Sequence, residues 1–171
     1  MTTVVFSHGQ ESGPWGTKIR AMADLLEARG CRVISVDYQG IPDPQERVEK
    51  LVHEAADIED RLVLVGSSMG GHVATAAAGR LGAAGLFVLA PAYYMPGYEE
   101  LTPSAPNMPI FIVHGWRDDV VPVDNSIRFA RDCGATLFIV DGDHRLTANL
   151  AEIKRELAAF IDRLEEAGER I

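Results

Sequence analysis

The sequence predicts an α/β protein: a three-layer α/β/α sandwich on a six-stranded parallel sheet, in a single domain over residues 1–171. Two observations carry this expectation. Six short β-rich runs alternate with helical patterns along the whole chain, and short joins between them imply a parallel sheet between helix layers. Most of those runs are also near-continuously apolar rather than alternating, as befits strands covered on both faces. A chain of this length can bury a core without disulfide or metal staples.

The elements follow in order. A first strand is expected at Thr3–Ser7. Lys18–Arg29 places Ile19, Met22, Leu25 and Leu26 on one helical face and ends at Gly30, a favourable cap. Arg32–Asp37 is the second strand. Pro44–Ile58 reads as a mostly polar helix, with Asp43 as N-cap and Pro44 at its first position. Leu62–Gly66 is the third strand, and Ala-rich Met69–Leu81 the helix after it. Gly85–Ala90 is the fourth. From Pro91 to Pro109 there is no helical period, and an irregular loop is expected. Ile110–His114 and Thr136–Asp141 are the last strands, separated by a helix over Asp124–Cys133 that ends at Gly134. The final helix, about Thr147–Gly168, sets Leu150, Ile153, Leu157, Phe160, Ile161 and Leu164 on one stripe. There is no repeat, no low-complexity linker and no room for a separate cap domain, so a site on this sheet should lie open to water.

Composition excludes several function classes. The formal net charge of −9 argues against nucleic acid and against an anionic membrane surface as partners. Cys31 and Cys133 have no metal spacing and no C-x-x-C pattern, and read as thiols of a reducing compartment. The chain enters a strand at once, with no basic, cleavable leader. No apolar run approaches the roughly 18 residues of a membrane span. A cytoplasmic protein is expected. Histidines and carboxylates show no H-x-x-x-H or H-E-x-x-H spacing, and neither phosphate-loop nor dinucleotide motifs are present, so no metal and no cofactor are expected.

Chemistry enters at Gly66-Ser67-Ser68-Met69-Gly70, a G-x-S-x-G pentapeptide at a strand-to-helix junction. Such a turn exposes its central serine above a helix N-terminus, which makes Ser68 the candidate nucleophile. Small residues at 66, 70 and 71 suit the tight turn. Ligands of open parallel sheets bind beyond the carboxyl ends of the strands. After the first strand comes His8-Gly9-Gln10-Glu11. The fifth is followed by His114-Gly115-Trp116-Arg117-Asp118-Asp119-Val120-Val121-Pro122, and the sixth by Gly142-Asp143-His144. A hydroxyl, a carboxylate and an imidazole therefore share one edge, in the order Ser, Asp, His.

These segments resemble the α/β-hydrolase family over almost the whole chain. The elbow is Gly66–Gly70, and His8-Gly9-Gln10 resembles the family's His-Gly-x oxyanion segment. The stretch His114–Pro122 resembles its H-G-x-x-D-x-x-V-P motif, which selects Asp118 over Asp119 as the acid. Gly142-Asp143-His144 resembles its G-x-H motif and selects His144 as the base. The closest likeness is to small lidless bacterial members. Relative to the full family sheet the first two strands are missing, and the helix usual after residues 85–90 is replaced by the Pro-rich loop.

The resemblance implies a serine esterase without a cap domain, acting on small or short-chain esters through an acyl-enzyme. His144 takes and returns the serine proton, and Asp118 orients and stabilises the imidazolium. The backbone N–H groups of Met69 and Gln10 form the oxyanion hole, with Gly9 setting the second donor by its conformation. Thioester or lactone hydrolysis uses the same parts, and a non-catalytic binding or scaffolding protein is the rival from another class. Loops at this edge also carry Glu11, Trp15, Tyr93, Tyr94 and Trp116 as substrate-pocket candidates, with Arg117 as a further polar contact. Ser67, His8, His114, His72 and His53 read as structural or solvated. The partner is a small-molecule ester or thioester, and sheet edges left bare by the missing strands could pair into a homodimer.

Overall fold

The computed structural model describes residues 1–170. Six strands are present: β1 (Thr2–Ser7), β2 (Arg32–Val36), β3 (Arg61–Ser67), β4 (Gly85–Leu89), β5 (Ile110–Gly115) and β6 (Thr136–Val140). They form one all-parallel sheet in the order β2-β1-β3-β4-β5-β6. Five helices accompany it: α1 (Thr17–Ala28), α2 (Pro44–Ala55), α3 (Met69–Ala78), α4 (Val123–Cys133) and α5 (Leu150–Glu169).

The apolar runs divide between the two faces residue by residue. Val4, Phe6, Val63, Val65, Phe87, Leu89, Phe111 and Val113 meet α1 and α5, through Met22, Leu26, Ile153, Leu157 and Phe160. Val5, Leu62, Leu64, Leu86, Val88, Ile110 and Ile112 meet α2, α3 and α4, through Leu51, Val73, Ala77 and Phe129. Because successive side chains point to opposite faces, two buried faces demand an uninterrupted apolar run. On the first face the Phe87 and Phe111 rings stack at 5.1 Å, and Phe160 of α5 leans on both.

Element ends differ from the sequence expectation where local propensity outruns packing. α2 stops at Ala55 rather than Ile58, and α3 at Ala78 rather than Leu81. The last helix begins only at Leu150, after a single 3-10 turn over Thr147–Asn149. The loop from 91 to 109 is irregular apart from a 3-10 turn at Glu99–Leu101. Asp43 accepts a hydrogen bond from the Gln45 N–H at 3.1 Å and caps α2.

The strand order reverses between β1 and β3, since the chain first builds outward to β2 and then returns to β3. A crevice opens beyond the carboxyl ends of strands at such a reversal. Closing it tightly requires glycine at two places. A Cβ on Gly70 would lie 2.0 Å from the Ser7 carbonyl oxygen, and one on Gly66 would lie 2.4 Å from the Gly70 oxygen. Neither backbone can yield without moving a strand. Gly70→Ala should therefore cost about 3 kcal/mol or more, the upper end for overpacking. Urea denaturation checks this; wild-type stability for that variant would contradict the packing described.

Candidate active site

The chain leaves β3 through a turn that holds Ser68 at φ 55°, ψ −121°. A non-glycine residue rarely adopts such a backbone, and it persists only where its surroundings hold it. Here they do. The Ser68 N–H donates to the Leu89 carbonyl at 2.9 Å, and the Ser68 carbonyl accepts from the Ala92 N–H at 3.0 Å. The side chain is thereby lifted off the carboxyl end of β3, with α3 starting beneath it.

Around that hydroxyl the structure gathers an imidazole and a carboxylate. The Ser68 hydroxyl lies 3.0 Å from His144 Nε2, placed to donate to it. On the far side of the ring, His144 Nδ1 lies 2.8 Å from Asp118 Oδ2. The Asp118 side chain is fully buried, and its other oxygen accepts the N–H groups of Val120 (2.9 Å) and Val121 (2.8 Å). A buried carboxylate is tolerable only when so satisfied. Asp119 makes none of these contacts.

Two loops hold this geometry. His114 is fully buried; its Nε2–H points at the Val121 carbonyl (2.8 Å) and also lies 3.1 Å from Asp118 Oδ2. Its Nδ1 lies 2.7 Å from the Ser126 hydroxyl. Burial holds the His114 imidazole below its ordinary pKa, so it braces the Asp118 loop as a neutral ring. In the last loop, Asp143 Oδ1 accepts the N–H groups of Arg145 (3.0 Å) and Leu146 (3.1 Å), fixing the turn that presents His144. The Arg117 N–H donates to the Gly142 carbonyl at 3.0 Å and ties the two loops together.

The loop after β1 faces Ser68 from the opposite side. His8 is fully buried: Nδ1–H donates to the Gly9 carbonyl at 2.8 Å, while Nε2 accepts the Tyr38 N–H at 2.8 Å. Desolvation keeps it neutral. The same Gly9 oxygen lies 3.2 Å from Arg47 Nη1, and Arg47 Nε donates to the Ile41 carbonyl at 2.7 Å. Arg47, only 2% exposed, was not singled out by the sequence. Its signal was there: it precedes Leu51 by four residues on the apolar stripe of α2. The N–H groups of Gln10 and Met69 make no hydrogen bond among the described residues. Gly9 corrects one expectation. A Cβ there would meet nothing closer than 3.5 Å, so arginine and histidine contacts, rather than glycine's freedom, orient this peptide.

A cleft of about 850 Å³ connects these groups. Glu11 lines it, as do Gln10, Ser68 and His144; none of the aromatic candidates does. Tyr93 is fully buried, shares a 2.6 Å hydrogen bond with Thr75 and stacks on Phe129 at 4.1 Å. Tyr94 lies under the Arg128 guanidinium beside the same helix. Arg20 lies over one face of Trp15, which stays 40% exposed, Trp116 is exposed and does not line the cleft, and Arg117 pairs with Asp141 at 2.8 Å. The position of their loops is compatible with lining a pocket or with covering the sheet edge; Tyr93 and Tyr94 pack against α4, and Trp116 is exposed. The cleft wall is mixed, polar groups alternating with apolar surface that includes Ile19 and Val120, and it includes Lys18. Among the described residues, no group of three or more His, Cys, Asp or Glu side chains is arranged to hold a metal ion. Likewise no helix is long and apolar enough to cross a membrane.

Comparison with known proteins follows this geometry. The model of the alpha/beta hydrolase family matches residues 4–167. A candidate hydrolase of the alpha/beta superfamily from Xanthomonas campestris pv. campestris is 27% identical, with a TM-score of 0.84 over 95% of this chain and 98% of that one. A lidless α/β serine hydrolase from Xanthomonas campestris shares the fold at 19% identity, with a TM-score of 0.80 over 95% of this chain and 81% of that one. An esterase from Pyrococcus furiosus does so at 19% identity and a TM-score of 0.78, covering 95% and 82%. A comparison with curated protein sequences finds no match.

The neutral histidines make acid stability a test of this packing. His8, His72 and His114 all have pKa values lowered, chiefly by burial, from the ordinary 6.5. Below about 6.5 the unfolded chain binds protons that the native state refuses, so stability falls as pH drops through that value. Tm should decline between pH 7 and 5, before carboxylates titrate near about 4. A flat Tm over that range would contradict neutral, buried rings.

Proposed function

Because the chain belongs to the alpha/beta hydrolase family, we propose that it is a serine esterase cleaving small or short-chain carboxylic esters through an acyl-enzyme. The observation that carries this reading is the unbroken relay Ser68 Oγ–His144 Nε2 at 3.0 Å and His144 Nδ1–Asp118 Oδ2 at 2.8 Å.

Each step follows from that relay. Ser68 Oγ attacks the ester carbonyl carbon as its proton passes to His144 Nε2. The carbonyl electron pair becomes an oxyanion, which the Gln10 and Met69 N–H groups receive. Asp118 holds the imidazole with Nδ1 protonated and stabilises the transient imidazolium. The oxyanion collapses, the carbon–oxygen bond to the alcohol breaks, and His144 returns the proton to the departing alkoxide. Water then repeats the sequence on the acyl-enzyme, releasing the acid and restoring Ser68.

The oxyanion donor on the β1 side depends on its peptide partner. In a trans peptide, C=O and N–H point in opposite directions. His8 and Arg47 hold the Gly9 carbonyl, which aims the Gln10 N–H the other way, and two donors on one carbonyl polarise the bond. A lost oxyanion donor costs about 3–4 kcal/mol of barrier.

Hydrolysis of p-nitrophenyl acetate tests the reading. Ser68→Ala should lose at least about 10³-fold in kcat, and Asp118→Asn about 10⁴-fold, with folding intact. Equal activity in wild type and Ser68→Ala would overturn it.

A further inference from the structure

Lys18 occupies the first turn of α1 and lines the cleft that holds Ser68 and His144. Its Nζ donates to the Ser67 hydroxyl at 2.9 Å, one residue before the nucleophile. That contact uses one of three ammonium donors. Among the described residues no carboxylate lies within ion-pairing distance of it. Burial has lowered its pKa to about 8, with Asp118 and Asp143 opposing that shift from a distance. A half-buried cation without a counterion is costly to keep.

The nearby acids do not supply that counterion. Asp118 is fully engaged by His144, His114 and two backbone N–H groups. Asp143 Oδ1 caps its own loop. Glu11, Asp119 and Arg145 are exposed cleft residues in contact with water. The end of α1 that carries Lys18 has no acidic residue in its first turn and no side-chain cap, so the helix end adds to the positive charge at the ammonium, while Glu11, Asp119 and Asp143 line the same cleft.

We propose that Lys18 is a specificity-determining residue that receives an anionic group of the substrate, so that the site takes esters carrying a carboxylate close to the scissile carbonyl. This rests on the hydrolase reading above and narrows it. The carboxylate would take up the free ammonium donors while the carbonyl sits at Ser68.

Two esters of matched shape separate charge from size: monoethyl succinate, and ethyl 4-methylpentanoate, in which an isopropyl group replaces the carboxylate. Acid release by pH-stat gives kcat/KM for both with wild type, Lys18→Met, Lys18→Arg and Ser68→Ala. Wild type should prefer the succinate ester by at least tenfold. Lys18→Met should abolish the preference, and Lys18→Arg should restore part of it. Lys18 is charged below about 8 and neutral above, so the wild-type preference should fall from pH 7 to 9 while that of Lys18→Arg persists. A ratio near one in wild type, or one unchanged in Lys18→Met, would overturn the anionic subsite alone. Hydrolysis of neither ester, or hydrolysis that survives Ser68→Ala, would overturn the hydrolase reading and the subsite with it.

Discussion

The close approach of Gly70 to the Ser7 and His8 carbonyls is the contact on which the site depends. It brings the start of α3 against the end of β1, at the point where strand order reverses. With any side chain at 70 the two backbones would stand apart, and the loop carrying Gln10 would retreat from Ser68. Gly66 does the same within the turn, letting the chain double back over Gly70. The strained Ser68 backbone, worth about 1–3 kcal/mol, is sustained by hydrogen bonds to Leu89 and Ala92 on the neighbouring strand's exit. Sheet packing thus supports a conformation that no local preference favours.

Around this contact the polar groups are held by rings that stay neutral. His8 and His114 follow a similar plan, each buried at a strand's carboxyl end and bonded on both nitrogens. One steadies the loop that carries Gln10, the other the loop that carries Asp118. Burial disfavours a charged imidazole at either place and outweighs the pull of Asp37 near His8 and of Asp118 near His114. Within the relay the Asp118 side chain is fully buried, while Ser68 is half-buried and the His144 side chain is 19% exposed. The scaffold is thus held by neutral braces inside, with one ring open to the cleft.

Much of the fold was legible because both sheet faces are buried, which writes each strand as an apolar run such as Leu62–Val65 or Leu86–Leu89. Helix ends were less legible. Nothing in Ala56-Asp57-Ile58 marks the end of α2, and Gly79, the C-cap of α3, is the sole local stop signal before Leu81. Ser68, Asp118 and His144 could be placed at one edge from topology and motif, since parallel strands bring every following loop to the same side. The cleft wall could not. Whether Tyr93 faces the cleft or Phe129 depends on a positive φ at Ala90 and on α4 lying behind it. Arg47 and Lys18 were visible as cations one helical turn from Leu51 and Met22, but amphipathic spacing alone does not tell a snorkelling side chain from one turned into a site.

The central claim is that Ser68 is activated by His144 within this scaffold. The most direct measurement is reaction with a fluorophosphonate, read by intact mass and peptide mapping on wild type, Ser68→Ala and His144→Ala. The account predicts one adduct per wild-type molecule, on Ser68, absent from Ser68→Ala and strongly slowed in His144→Ala. Folded wild-type protein that stays unlabelled, or that is labelled on Ser67 instead, would contradict it.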